Sequence, residues 1–109
     1  MLMEKIVEQT LLYDFYGELL TKRQQEIYES VIRDDLSLAE AAEEFGISRQ
    51  GVHDMIRRCN SILSGYESKL RLVEKFLSMR TEVQKIRELA LASHESEIVR
   101  IAEAVLEEL

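Results

Sequence analysis

The stretch that most constrains this chain is LSLAEAAEEFGISRQGVHDMIRR, residues 36–58. A helix-turn-helix needs a small residue where two crossing helices touch, a residue tolerant of positive φ at the turn, and apolar anchors that hold the second helix on the first. Ala42, Gly46 and then Ile47, Val52 and Met55 or Ile56 stand at those offsets. An ordinary αα-hairpin shares the alanine crossing and the glycine cap. These steric demands met together favour a helix-turn-helix at Ser37–Arg58.

Capping patterns place the neighbouring elements. The first segment, Glu4–Leu20, carries Ile6, Val7, Leu11, Phe15 and Leu19 on a broad helical face, with Tyr13 and Tyr16 beside it. Thr21 with Gln24 has capping-box spacing and opens a second helix over Lys22–Arg33. Ser37 with Glu40 repeats the pattern before a short third helix, Leu38–Glu44, which Gly46 ends. Ser48 caps the fourth.

From there Val52, Ile56, Cys59, Leu63, Tyr66, Leu70, Val73 and Leu77 alternate steps of four and three, the spacing of a heptad seam. The seam asks for a partner helix, either Glu4–Leu20 of the same chain or a second subunit. A homodimer would use Phe15, Leu63, Tyr66, Leu70, Val73 and Leu77. Gly65 weakens the helix there and marks a candidate kink or break. Thr81 with Gln84 has the spacing of a further capping box, and the polar patch Ser93–Ser96 separates Val83, Ile86 and Ala90 from Ile98, Ile101, Ala102, Val105 and Leu109. The tail is open to three readings: one helix, two helices, or a mobile arm. The chain divides on this reading into a helical domain, residues 1–79, containing the motif at 37–58, and a helical extension, residues 80–109.

The fold class is all-α. Proline is absent, glycine occurs four times, and the β-branched residues are dispersed rather than alternating. The longest apolar runs are far shorter than the roughly 20 residues that span a bilayer, and no basic region precedes an apolar run as in a secretion signal, so membrane insertion is not expected and a cytoplasmic location is. One cysteine cannot make an intramolecular disulfide. Cys59 falls on the apolar seam, where a buried thiol is the natural reading. His53 and His94 stand far apart, the glycines have neither nucleotide-loop spacing, and no catalytic constellation is visible. No metal, cofactor or enzymatic activity is expected.

A net charge of −7 opposes extended nonspecific binding to nucleic acid, which works by neutralising phosphates. Any such role needs a local basic face. In helix-turn-helix geometry the second helix enters the major groove by its amino-terminal residues, here Ser48, Arg49, Gln50, His53 and Asp54, with Arg57 and Arg58 further along. Arg49 can grip guanine by two hydrogen bonds, Gln50 can read adenine, and Arg57 suits a phosphate. Glu40, Glu43 and Glu44 on the preceding helix oppose a backbone contact. A solvated helix, or one that meets a protein, is the competing reading.

The run LLTKRQQEIYESVIRDDLSLAEAAEEFGISRQGVHDMIRRCNSIL resembles region four of bacterial sigma factors, whose leucine-threonine-x-arginine-glutamine opening is here Leu20, Thr21, Arg23 and Gln24. That likeness implies a winged-helix-like domain without the wing. With LYDFYGELLTKRQ before the motif and YESKL after it, residues 4–79 resemble more closely the YlxM (p13-like, UPF0122) family of small proteins from Gram-positive bacteria. The resemblance implies a DNA-binding helix-turn-helix regulator of transcription, or a component of the signal recognition particle pathway whose partners are double-stranded DNA or that particle's protein or RNA. It carries the base-facing role to Ser48, Arg49, Gln50, His53, Arg57 and Arg58. Gly51 and Asp54 depart from an effective reader, one by loosening the helix and the other by its charge. A protein-interaction module that keeps the motif as a scaffold is the alternative.

Overall fold

A computed structural model describes residues 2–109 as six α-helices: α1 (Leu2–Tyr16), α2 (Lys22–Ile32), α3 (Leu38–Phe45), α4 (Arg49–Leu70), α5 (Leu72–Ala92) and α6 (Ser96–Glu108). The described chain forms two compact units, one ending at Arg71 and one spanning Leu72–Leu109. The division falls before residue 79, the boundary suggested by the heptad. Among the described residues no helix is long and apolar enough to cross a membrane.

In the first unit the caps act as their sequence spacing predicts. Thr21 Oγ1 accepts from the Gln24 backbone while Gln24 Oε1 accepts from the Thr21 backbone, so two amides with no helical partner are satisfied together. Ser37 and Glu40 do the same for α3. The core between α2, α3 and α4 is Ile27, Ala41, Ala42 and Val52, ringed by Val31, Leu36, Leu38, Phe45, Ile47, Met55 and Ile56. Both candidate anchors, Met55 and Ile56, therefore pack on it.

Tyrosines join α1 to this core. Tyr13 stacks on Tyr28 at 5.2 Å and donates to Glu29. Tyr28, fully buried, donates to Asn60 of α4 at 2.6 Å. Burial, and then the neighbouring Cys59, push the Tyr28 phenol up to about 12, so it remains a donor. Tyr16 is buried too, stacks on Tyr66 and donates to Glu67. A polar hydroxyl at the end of each ring lets a large apolar body be buried without stranding a donor.

Three sequence readings are corrected. The first helix stops at Tyr16 and a 3-10 turn, Gly17–Leu19, replaces its expected last turn. Gln25 Nε2 donates to the Gly17 and Leu20 carbonyls and so rewards the tighter turn. The Val52–Leu77 seam is open in sequence to one bent helix or two shorter ones; two are observed, and Gly65, the candidate break, is not where they part. Gly65 lies within α4, and the break comes at Arg71, whose φ of 56° ends the helix in a left-handed cap with its N–H bonded to the Glu67 carbonyl. Finally, Thr81 caps nothing: it lies inside α5, and its hydroxyl donates back to the Leu77 carbonyl, a bond open to threonine in any helix interior.

The second unit is a hairpin of α5 and α6. Ser93, His94 and Glu95 form the turn, with amides bonded to Leu89, Leu91 and Ala90 carbonyls and His94 at φ 56°. Of the three readings open for the tail, two helices is the one observed.

Candidate nucleic-acid interface

The candidate interface is built from the turn between α3 and α4. Gly46 closes α3 with φ 66° and ψ 35°, and its amide bonds to the Ala42 carbonyl, as does that of Ile47. The left-handed conformation costs a residue with a Cβ roughly 1–2 kcal/mol, so glycine suits this corner. Arg23 of α2 donates from Nη2 to the Phe45 carbonyl and stands over the Phe45 ring at 6.0 Å, tying α2 to the end of α3. Apolar contacts thus hold α3 against α4, and Arg23 fastens the end of α3 to α2.

At the start of α4, Ser48 Oγ accepts from the Gly51 amide at 2.9 Å. A Cβ on Gly51 would come within 3.1 Å of that oxygen, closer than ordinary contact. Gly51, which the sequence marks as a weakness in the recognition helix, leaves room for its cap. Ser48 accordingly has a structural duty at the position where base contact is expected.

Val52, Cys59 and Leu63 form the buried side of α4. Opposite them Gln50, Asp54, Arg57 and Ser61 follow one another at helical spacing, all exposed, with Arg49, His53 and Arg58 on the flanks, exposed as well. Asp54 organises the middle of this surface: Gln50 Nε2 donates to its Oδ1 at 2.9 Å, and His53 Nδ1 lies 3.9 Å from the same oxygen. Among the described residues no carboxylate is in ion-pair contact with Arg49, Arg57 or Arg58. Five of the six residues named from the sequence, Arg49, Gln50, His53, Arg57 and Arg58, are exposed on α4, and the sixth, Ser48, is its N-cap. Sequence reasoning missed the Gln50–Asp54 bond, although their i, i+4 spacing was its signal.

The residues named for a dimer interface differ in exposure. Leu63 is buried within α4's core face, Tyr66 is half-buried against Tyr16, and Val73 is buried at the start of α5. Phe15, Leu70 and Leu77 are exposed. Cys59 is a buried free thiol, and burial raises its pKa. Among the described residues no cluster of three or more His, Cys, Asp or Glu side chains is placed to hold a metal.

The family model described as "Putative helix-turn-helix protein, YlxM / p13 like" matches residues 3–103. The chain belongs to the UPF0122 family. UPF0122 protein YlxM of Bacillus subtilis is 40% identical over 109 residues, covering 100% of this chain and 99% of that protein. A UPF0122 protein of Acetivibrio thermocellus is 50% identical over 84 residues, 77% of this chain and 72% of the relative, and one of Caldanaerobacter subterraneus is 51% identical over 79 residues, 72% and 68%. The UPF0122 likeness extends through both units, so α5 and most of α6 belong to the family's pattern along with the helix-turn-helix.

Proposed function

We propose that this protein is a non-enzymatic helix-turn-helix regulator that binds duplex DNA through the first turns of α4. The observation that carries the reading is the set of three exposed arginines, Arg49, Arg57 and Arg58, with no described carboxylate bonded to them, on a helix whose amino terminus is held by a sterically rigid turn. Arg49 stands where a recognition helix meets base edges and takes the guanine contact. Arg57 and Arg58, two turns on, take phosphates and give affinity without sequence preference. Gln50 reads adenine only after leaving Asp54, so a matched base must offer better hydrogen bonds than that carboxylate does. Nonmatching sites keep the Gln50–Asp54 bond and add the repulsion of Asp54 by phosphate.

A second reading is favoured by the same aspartate and by the acidic balance of the chain. With Gln50 held by Asp54 and Glu40, Glu43 and Glu44 exposed on α3, this surface suits a basic protein partner. The family resemblance directs that reading to the signal recognition particle pathway. Fluorescence anisotropy of labelled protein against genomic duplex fragments, the particle's RNA and the particle's protein separates the two. Salt-sensitive binding to duplex DNA that requires Arg49 supports the first reading; binding to the particle protein alone, with no duplex affinity at low salt, replaces it with the second.

A further inference from the structure

The α5–α6 hairpin buries little of its own apolar surface. Its buried residues are Val73, Ala90 and Ala102, none of them large. By contrast Met79, Ile86 and Leu89 on α5 and Ile98, Ile101 and Val105 on α6 are exposed, at 53%, 49%, 71%, 43%, 52% and 42%.

These six residues form one face. With about 3.6 residues per turn, Met79, Ile86 and Leu89 fall on one flank of α5 beside the side that holds Val83 and Ala90. Ile98, Ile101 and Val105 likewise fall on one flank of α6, beside Val99, Ala102 and Leu106. The three-residue turn makes the helices antiparallel. Reversing the direction of the second helix brings both flanks to the same side of the hairpin. Leu77 and Leu91 lie on the opposite side.

We infer that this face is covered by the same face of a second copy, giving a four-helix bundle. Area supports the occupant. Side chains of this size and exposure leave roughly 100 Å² each, so the six supply on the order of 600 Å² per copy and about 1,200 Å² across a two-fold contact, the lower edge for a stable specific interface. The face is also self-complementary, as a two-fold contact requires, because it presents apolar residues from both helices. Charge does not select between the two-fold arrangements: Lys75 and Glu82 share the flank of Met79, Ile86 and Leu89, Lys85 is paired with Glu82, and Glu97 is paired with Arg100.

Sedimentation equilibrium of the full chain at tens of micromolar should give the mass of two chains. Ile86→Glu with Ile101→Glu should weaken the dimer by at least about 100-fold, since these are central apolar contacts, while Leu91→Glu on the opposite side leaves the mass unchanged. Should the double variant fail to fold, hydrogen exchange of the wild-type protein on dilution through the dissociation range gives the answer independently: residues 79–91 and 98–106 lose protection and residues 49–63 do not. A wild-type monomer at tens of micromolar overturns the inference. So does a dimer that Leu91→Glu disrupts and the Ile86 and Ile101 changes do not, or one whose dissociation leaves exchange in α5 and α6 unchanged.

Discussion

Gly46 and Gly65 offer a paired test, because both have open space where a Cβ would be and differ only in backbone conformation. Neither meets an atom within 4 Å of an added Cβ. Sterics with neighbours therefore drop out, and the sign of each substitution follows from φ alone. At Gly46, φ is 66°, and the left-handed conformation costs an L-residue roughly 1–2 kcal/mol. Alanine recovers roughly 0.4–1 kcal/mol by narrowing the unfolded ensemble. Gly46→Ala should thus destabilise by somewhat less than about 1 kcal/mol, and Gly46→Val, with a branched Cβ, by on the order of 1–2 kcal/mol. At Gly65, inside α4, the same alanine keeps an ordinary helical conformation and should stabilise by about 1 kcal/mol. Both residues lie in the first unit, so both report on one urea transition followed by far-ultraviolet circular dichroism. Equal stability of Gly46→Val and wild type would refute the left-handed assignment, and loss of stability in Gly65→Ala would refute continuous helix through that position.

The Glu40 carboxyl is held below the usual carboxylate range, first by the Ser37 backbone amide and then by the Ser37 hydroxyl. A lowered acid pKa stabilises the fold above the unfolded value and loses that effect as pH falls through the folded value, so Glu40→Gln should flatten the acid limb of a urea-midpoint series against pH; an unchanged limb contradicts the capping role. Tyr28→Phe removes the bond to the half-buried Asn60, which should cost roughly 0.5–1.5 kcal/mol in the same unfolding assay. A near-neutral effect would mean that Asn60 finds another donor.

Much of the first unit was legible because its signals are local and steric. Thr21, Ser37 and Ser48 each sit before a helix with the acceptor or small residue it needs, and Gly46 announces a backbone that other residues avoid. The break at Arg71 was not legible. Arginine has no preference for positive φ, and the apolar repeat runs through it, so nothing in the sequence distinguishes a cap there from another helical turn. Thr81 shows the reverse error, a capping pattern inside a helix, because the spacing of two polar residues cannot reveal whether a preceding turn already satisfies the amides. The turn after α1 is supported from another helix, because Gln25 donates to the Gly17 and Leu20 carbonyls, and a Cβ at Gly17 would come within 2.9 Å of the Tyr13 ring one turn earlier. At the candidate interface, exposure of Arg49, Gln50, His53, Arg57 and Arg58 follows from helical spacing about buried Val52 and Cys59. The restraint on Gln50 depends on which neighbour its amide selects, and that is settled only once the side chains are placed.

The most direct test of the account is the salt dependence of duplex binding by wild type, Arg49→Ala and Arg57→Ala, measured by fluorescence anisotropy with a selected target fragment and a scrambled one. The account predicts wild-type affinity that falls with salt, loss of preference for the target in Arg49→Ala with the salt slope little changed, and weaker binding to both fragments in Arg57→Ala with a slope reduced by about 1. No duplex binding at low salt, or binding that neither substitution alters, would contradict it.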